Sequence, residues 1–297
     1  MTIAYKPYGA RKVDYQYHDL LKKILKKGRV VHPIHGEEAR MIAGYQMRFK
    51  MENGFPLITE RDMSEKFFRY ALAELCAFLN GAQTHEELLQ YGYPFWKRWT
   101  TKEKCATFGL PEGHLGGGSY GNVWTRFPTR SGQIFNQITA VLQQIKERPF
   151  LRTHRITNWS PANVIGAGRD TVVAPCHGDV HFLVYPDQGE LDLHHIQRSG
   201  DIPTGVPFNF IHYAALGMMF AHLTGYIFNE LIYTFSDAHI YESQYNKVEE
   251  LLGRRPRRFP TVTLDTSITN ILDFLPEHFA LQNDYRPHPS MTIPTPT

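Results

Sequence analysis

From Pro207 to Thr224 the chain is strongly apolar over the length of a long helix, and strand-like segments stand on both sides, Glu190 to Arg198 before it and Tyr226 to Phe235 after it. That order places the chain in the α/β class. Upstream, Val180 to Tyr185 is another strand-like run, and Pro186-Asp187-Gln188-Gly189 supplies a hairpin turn into Glu190. Arg152 to Trp159 and Met41 to Met51 also read as strands, the second closed by the Asn53-Gly54 turn signal. Leu20, Leu21, Ile24 and Leu25 recur at helical spacing between Asp14 and Lys27, with Gly28 as a stop. Phe68, Leu72, Leu75 and Phe78 do the same from Phe67 to Leu79, ending at Asn80-Gly81.

Gly116-Gly117-Gly118 excludes regular structure, so Tyr120 is expected just after a flexible loop able to approach a ligand closely. Pro287, Pro289, Pro294 and Pro296 forbid a helix and favour an extended tail. A length of 297 residues admits one large domain or two smaller ones. With no internal repeat and no linker-like segment, a single domain over 1–297 is the reading.

Hydrophobic residues make up 42% of the chain, enough to expect a packed core rather than disorder. A net charge of +3 without a long basic run does not mark a nucleic-acid binder, and it suits a small anionic ligand. Three cysteines are not a disulfide framework, which points to a reducing compartment and a cytoplasmic location. Met1 to Lys12 is polar and lacks a signal-length apolar run, and no segment reads as a membrane span.

The chemistry-bearing residues cluster in order. Ala174-Pro175-Cys176-His177-Gly178-Asp179 is followed by Gln197-Arg198-Ser199-Gly200-Asp201 and then Gly205-Val206-Pro207-Phe208-Asn209. These segments resemble the nucleophile and nucleotide-binding segments of the thymidylate synthase family. Further fragments agree in order from Gly44-Tyr45-Gln46-Met47-Arg48-Phe49 and Gly54-Phe55-Pro56-Leu57-Ile58-Thr59 to Arg286-Pro287-His288-Pro289. The resemblance implies a large mixed sheet flanked by helices and a homodimer paired through sheet faces with a shared active site. It also implies a pyrimidine nucleotide substrate and 5,10-methylenetetrahydrofolate as co-substrate, with no metal.

C5 of a uracil is a poor nucleophile until a thiolate adds at C6, and Cys176 is the matching thiol. A lone cysteine is otherwise a small buried hydrophobe, the reading kept for Cys76 and Cys105. Arg198 resembles the arginine that touches phosphate and favours thiolate by its charge. Loss of the C5 proton needs a base in a dry site, for which Glu74 is the candidate, with Tyr120 and His177 matching its neighbours. Asn209 offers a donor and an acceptor, matching O4 and N3–H of uracil, while an aspartate would better suit cytosine. A helix N-cap is its plain alternative.

Gln197 and Ser199 fall in the nucleotide-binding set, and His239 and Tyr241 resemble the pair on the sugar 3′-hydroxyl. Asp201 resembles the pterin-binding carboxylate. Trp96, Trp99, Gly205 and Phe208 fall among the folate-lining positions, although stray tryptophans are more often core. The proline-rich tail matches in length one that folds over the ligands.

The resemblance breaks in two places. Ile34 stands where the family carries a phosphate-gripping arginine, and a pair of arginines lent across the dimer is reduced to Arg152-Thr153. Each charge-assisted hydrogen bond contributes about 1.5–3 kcal/mol, so two losses without replacement weaken phosphate binding by about a hundredfold or more. Arg29, Arg40, Arg155, His32 and His35 are the candidate replacements, and a histidine in that role predicts weaker binding as pH rises through neutrality. Gly200, Asp179 and His212 replace a cysteine, an apolar residue and a serine, respectively. Methylation of deoxyuridylate is the leading reading; extra polar groups there could position a water at the last step, and the rival outcome is then a hydroxymethyl product. Trp96, at the shielding position, favours hydride. A family member that only binds nucleotide is the remaining alternative.

Overall fold

The computed structural model describes residues 2–33 and 36–296. Strands β1 (Arg29–Val31), β2 (Ala39–Lys50), β3 (Arg155–Ile156), β4 (Asp179–Tyr185), β5 (Glu190–Asp201) and β6 (Ile227–Tyr241) form one sheet, in the order β1-β2-β6-β5-β4-β3. Neighbours run antiparallel except β5 and β6, which are parallel, making the sheet mixed. The helices that matter here are α1 (Gln16–Lys27), α2 (Lys66–Leu79), α3 (Tyr120–Thr125), α4 (Gln137–Glu147), α5 (Val206–Thr224) and α6 (Tyr245–Leu252).

Parallel neighbours require a crossover, and α5 supplies it between β5 and β6. Every residue of α5 from Asn209 to Ala221 is buried, because the helix lies on β5 and β6 with α2 and α4 packed on its other sides. Pro207 in its first turn and Gly225 in the left-handed conformation (φ 80°) bound it. α1 covers β2 and β6 with Tyr17, Leu20, Leu21 and Ile24 turned inward. One hydrophobic cluster runs from Ile3 to Ile293 through all these elements. Gln46 and Arg48, on the sheet face turned away from α5, are exposed. Among the described residues no helix is long and apolar enough to cross a membrane.

Two strand readings need correction. Of Arg152 to Trp159 only Arg155–Ile156 joins the sheet. The following amides turn to side chains instead: Thr157 N–H donates to Gln137 Oε1 (2.9 Å) and Asn158 N–H to Asp179 Oδ1 (3.3 Å). Conversely, β6 continues six residues past Phe235, because β2 pairs with it all the way to Tyr241. The polar Ser236-Asp237 step hides that continuation in the sequence.

The triple glycine is likewise not an open loop. A Cβ on Gly116 (φ +98°) would lie 1.8 Å from the Asp170 carbonyl oxygen, and one on Gly118 would lie 2.4 Å from Thr171 Oγ1. The glycines thus admit the backbone of a second loop rather than a ligand. Gly116→Ala is expected to destabilise the fold by about 2 kcal/mol or more, read as a lower Tm by calorimetry. An unchanged Tm would mean the 163–171 segment yields freely.

Candidate active site

Cys176 sits on an irregular bend leading into β4. Three residues on two elements hold that bend. Its N–H donates to the Tyr120 hydroxyl at the start of α3 (2.9 Å), and its carbonyl accepts from Ser199 N–H on β5 (3.3 Å). Arg198, also on β5, donates to the carbonyls of Pro175 (3.0 Å) and Ala174 (3.2 Å). The same guanidinium stands 3.4 Å from Cys176 Sγ and 5.6 Å from the centroid of the Trp159 ring. Burial pushes the Cys176 thiol above its ordinary range, Arg198 pulls it back, and Asp237 and Asp201 add to the rise. The expected pull from Arg198 is present, but desolvation outweighs it in the free protein. Cys76 and Cys105 are buried free thiols, Cys76 pushed up to about 12 by desolvation.

The second group is a buried amide network around Gln197. Gln197 Nε2 donates to the Ser199 carbonyl (2.9 Å) and to Asn209 Oδ1 (3.2 Å), while its Oε1 accepts from the Tyr233 hydroxyl. Because a backbone carbonyl only accepts, the Gln197 amide has one orientation and fixes that of Asn209 in turn. Asn209 is inside the first turns of α5, not its cap. Tyr233 escaped the sequence reading; the alternation of β6 is the signal that puts it on the buried face with Phe235.

The third group surrounds Glu74, 7% exposed on α2. Oε1 accepts from Trp96 Nε1–H (2.6 Å), and Oε2 lies 3.3 Å from His212 Nε2, out of line for a hydrogen bond. Burial raises the Glu74 pKa to about 7, with hydrogen bonds from Trp96 and Tyr93 opposing. Burial lowers His212 to about 3, against the opposing pull of the Ala71 carbonyl, so His212 is neutral and this contact is not an ion pair. His177 is also neutral, pushed far down by burial, with Nδ1 2.6 Å from the Tyr213 hydroxyl and its ring 4.4 Å from that of Tyr120. Trp96 is therefore a direct hydrogen-bond partner of the carboxylate.

At the end of β5, Ser199 Oγ donates to Asp237 Oδ2 (2.9 Å), and Asp237 Oδ1 lies 3.0 Å from His239 Nδ1. His239 Nε2 is buried with no hydrogen-bond partner among the described residues, an orphan suited to a ligand hydroxyl. Asp201, raised by burial, accepts from Gln244 Nε2 (3.2 and 3.1 Å) and from the Thr204 hydroxyl. Gln244 also donates to the Pro294 carbonyl (2.9 Å) and accepts from Tyr241 N–H (3.0 Å), so the tail docks beside Asp201. Nothing in the sequence reading had singled out Asp237 or Gln244.

The other predicted residues have contacts of their own. Trp99 lies beneath Arg98 and Lys104, Phe208 meets Phe67 edge to face, and Gly205 N–H donates to the Asp201 carbonyl. Arg152 is exposed at the approach to β3, its carbonyl facing His181, and Thr153 Oγ1 turns to Gln144. Ile34 and His35 lie outside the described residues. Arg40 is committed elsewhere, donating to the Leu25 carbonyl and stacked over Tyr245 (5.2 Å).

A half-buried thiol beside an arginine, an oriented amide and a dry carboxylate is a constellation for covalent activation of a heterocycle. The model of the family described as thymidylate synthase matches residues 15–296. The chain belongs to the thymidylate synthase family. A thymidylate synthase family protein is an enzyme that transfers a one-carbon unit from methylenetetrahydrofolate to C5 of a pyrimidine nucleotide, and the match spans nearly all of this chain.

Proposed function

We propose that the chain methylates dUMP to dTMP as a single catalytic unit, with methylenetetrahydrofolate supplying carbon and hydride. The observation that carries the uracil assignment is the oriented Asn209 amide: Gln197 leaves one Oδ1 lone pair for N3–H and one Nδ2 hydrogen for O4. Cytosine presents the opposite pattern at both atoms.

In this reading Cys176 adds to C6 as thiolate and Arg198 holds both the phosphate and the bend that carries the thiol. Tyr120 and His177 shape the floor. Glu74 in its ionised form takes up the proton leaving C5. His239 and Tyr241 hold the sugar, and Ser199 lies beside the phosphate. Asp201, Trp96, Trp99, Gly205 and Phe208 line the folate side, where the Asp201 carboxylate fits a ring that donates hydrogens. Turnover in a homodimer joined through the exposed sheet face would bring Arg152 from the second subunit to the phosphate.

The hydroxymethyl alternative rested on three polar departures, and two of them are structural. Asp179 is occupied by the Thr157 hydroxyl (2.7 Å) and the Asn158 amide. Gly200 faces Phe235, where a Cβ would already lie 3.0 Å from the ring. Only His212 adds polarity near Glu74, which supports hydride over water. Incubation with methylenetetrahydrofolate and a mixture of dUMP, UMP, dCMP and CMP tests this by product mass and dihydrofolate absorbance. Methylated dUMP with matching dihydrofolate is the expected result; a hydroxymethyl product without dihydrofolate refutes the methyl assignment.

A further inference from the structure

Neutral His212 lies between the two poles of the site. Its Nδ1 is 3.5 Å from Asn209 Nδ2, and its Nε2 is 3.3 Å from Glu74 Oε2. The ring is 2% exposed and its centroid is 5.6 Å from that of His177. Nε2 makes no well-aligned hydrogen bond among the described residues; the Ala71 carbonyl pulls on the ring, and the Glu74 carboxylate lies closest to that nitrogen.

The tautomer follows from the neighbours. The Ser199 carbonyl can only accept, so Gln197 presents Nε2 to it and to Asn209, and the Asn209 atom facing Gln197 is Oδ1. Asn209 therefore turns Nδ2–H toward His212, whose Nδ1 must be the bare nitrogen. The single ring proton of neutral His212 is then on Nε2, on the side of Glu74.

We infer that His212 is a positioning and specificity-determining residue that locks the uracil-reading orientation of Asn209 and steers the Glu74 carboxylate from the same ring. This rests on the pyrimidine C5 transfer proposed above. A flip of Asn209 toward cytosine would set its Nδ2 against Gln197 Nε2 and its Oδ1 against His212 Nδ1, two repulsive contacts. His212 keeps its proton throughout; no transfer is required of it. The long Nδ1 contact and the misaligned Nε2 contact shorten when a ring fills the site.

Two halves of the inference separate by substitution. His212→Asn places Oδ1 where Nδ1 stood, keeping the acceptor for Asn209 while deleting the edge that faces Glu74. His212→Leu deletes both. Binding of dUMP and dCMP is read by calorimetry, and loss of the C5 proton by tritium release from 5-tritiated dUMP with methylenetetrahydrofolate. His212→Asn is expected to keep the dUMP:dCMP binding ratio and to release tritium about tenfold more slowly at unchanged dUMP affinity. His212→Leu is expected to lose about fivefold or more of the binding ratio as well. His212→Ala takes its place if the leucine variant does not fold. A His212→Asn protein with the parent's release rate, or a His212→Leu or His212→Ala protein with the parent's binding ratio, overturns the inference. Should the unsubstituted protein release no tritium from dUMP, the proposed reaction fails and the Glu74 half with it, while the binding ratio still decides the Asn209 half.

Discussion

Cys176→Ala removes turnover by about four orders of magnitude or more while leaving dUMP binding nearly intact. The reason is the division of labour at the bend. Its backbone is held by Tyr120, Ser199 and Arg198 through main-chain groups that an alanine retains. Only the sulfur beside the guanidinium is lost. Calorimetric titration with dUMP against steady-state turnover separates the two effects; equal loss of binding and turnover would mean the thiol is structural.

Glu74→Gln lowers turnover by about a hundredfold to ten-thousandfold and, above neutral pH, makes the protein more stable. Folding raises this carboxyl from 4.5 to about 7. The folded state therefore binds the proton more tightly than the unfolded one. That contribution is fully present below about 4.5 and is lost as pH rises through about 7, a change of about 3 kcal/mol. Glutamine keeps an acceptor for Trp96 without the charge, so it escapes that loss and its Tm at pH 8 exceeds the parent's. Activity of the parent runs the other way, rising through about 7 as the carboxylate forms. Thermal scans at pH 5 and pH 8 with a pH–rate profile check both signs. An ordinary carboxylate midpoint in the profile would remove Glu74 from the proton step.

Much of the scaffold is legible because its signals are local. The leucines of α1, the aromatic and leucine spacing of α2 and the Pro186–Gly189 turn each fix an element from a few neighbouring residues. β6 is read short because the ladder to β2, not the sequence pattern, carries it past Ser236. The 152–159 segment is read long because its later amides bond to Gln137 and Asp179, which are distant in sequence. The site follows the same rule. Cys176, Arg198 and Asn209 are singled out through contiguous motifs, whereas Tyr233, Asp237 and Gln244 bond to Gln197, Ser199 and Asp201 and carry no motif of their own. The sign of the Cys176 shift also depends on burial, which a motif does not report.

The most direct test of covalent transfer through this thiol is to incubate the protein with 5-fluoro-dUMP and methylenetetrahydrofolate and locate the added mass by peptide mapping. An adduct of nucleotide plus folate confined to the peptide holding Cys176 is the predicted result. An unmodified Cys176 peptide under conditions where both ligands bind, or an adduct on Cys76 or Cys105 instead, would contradict it.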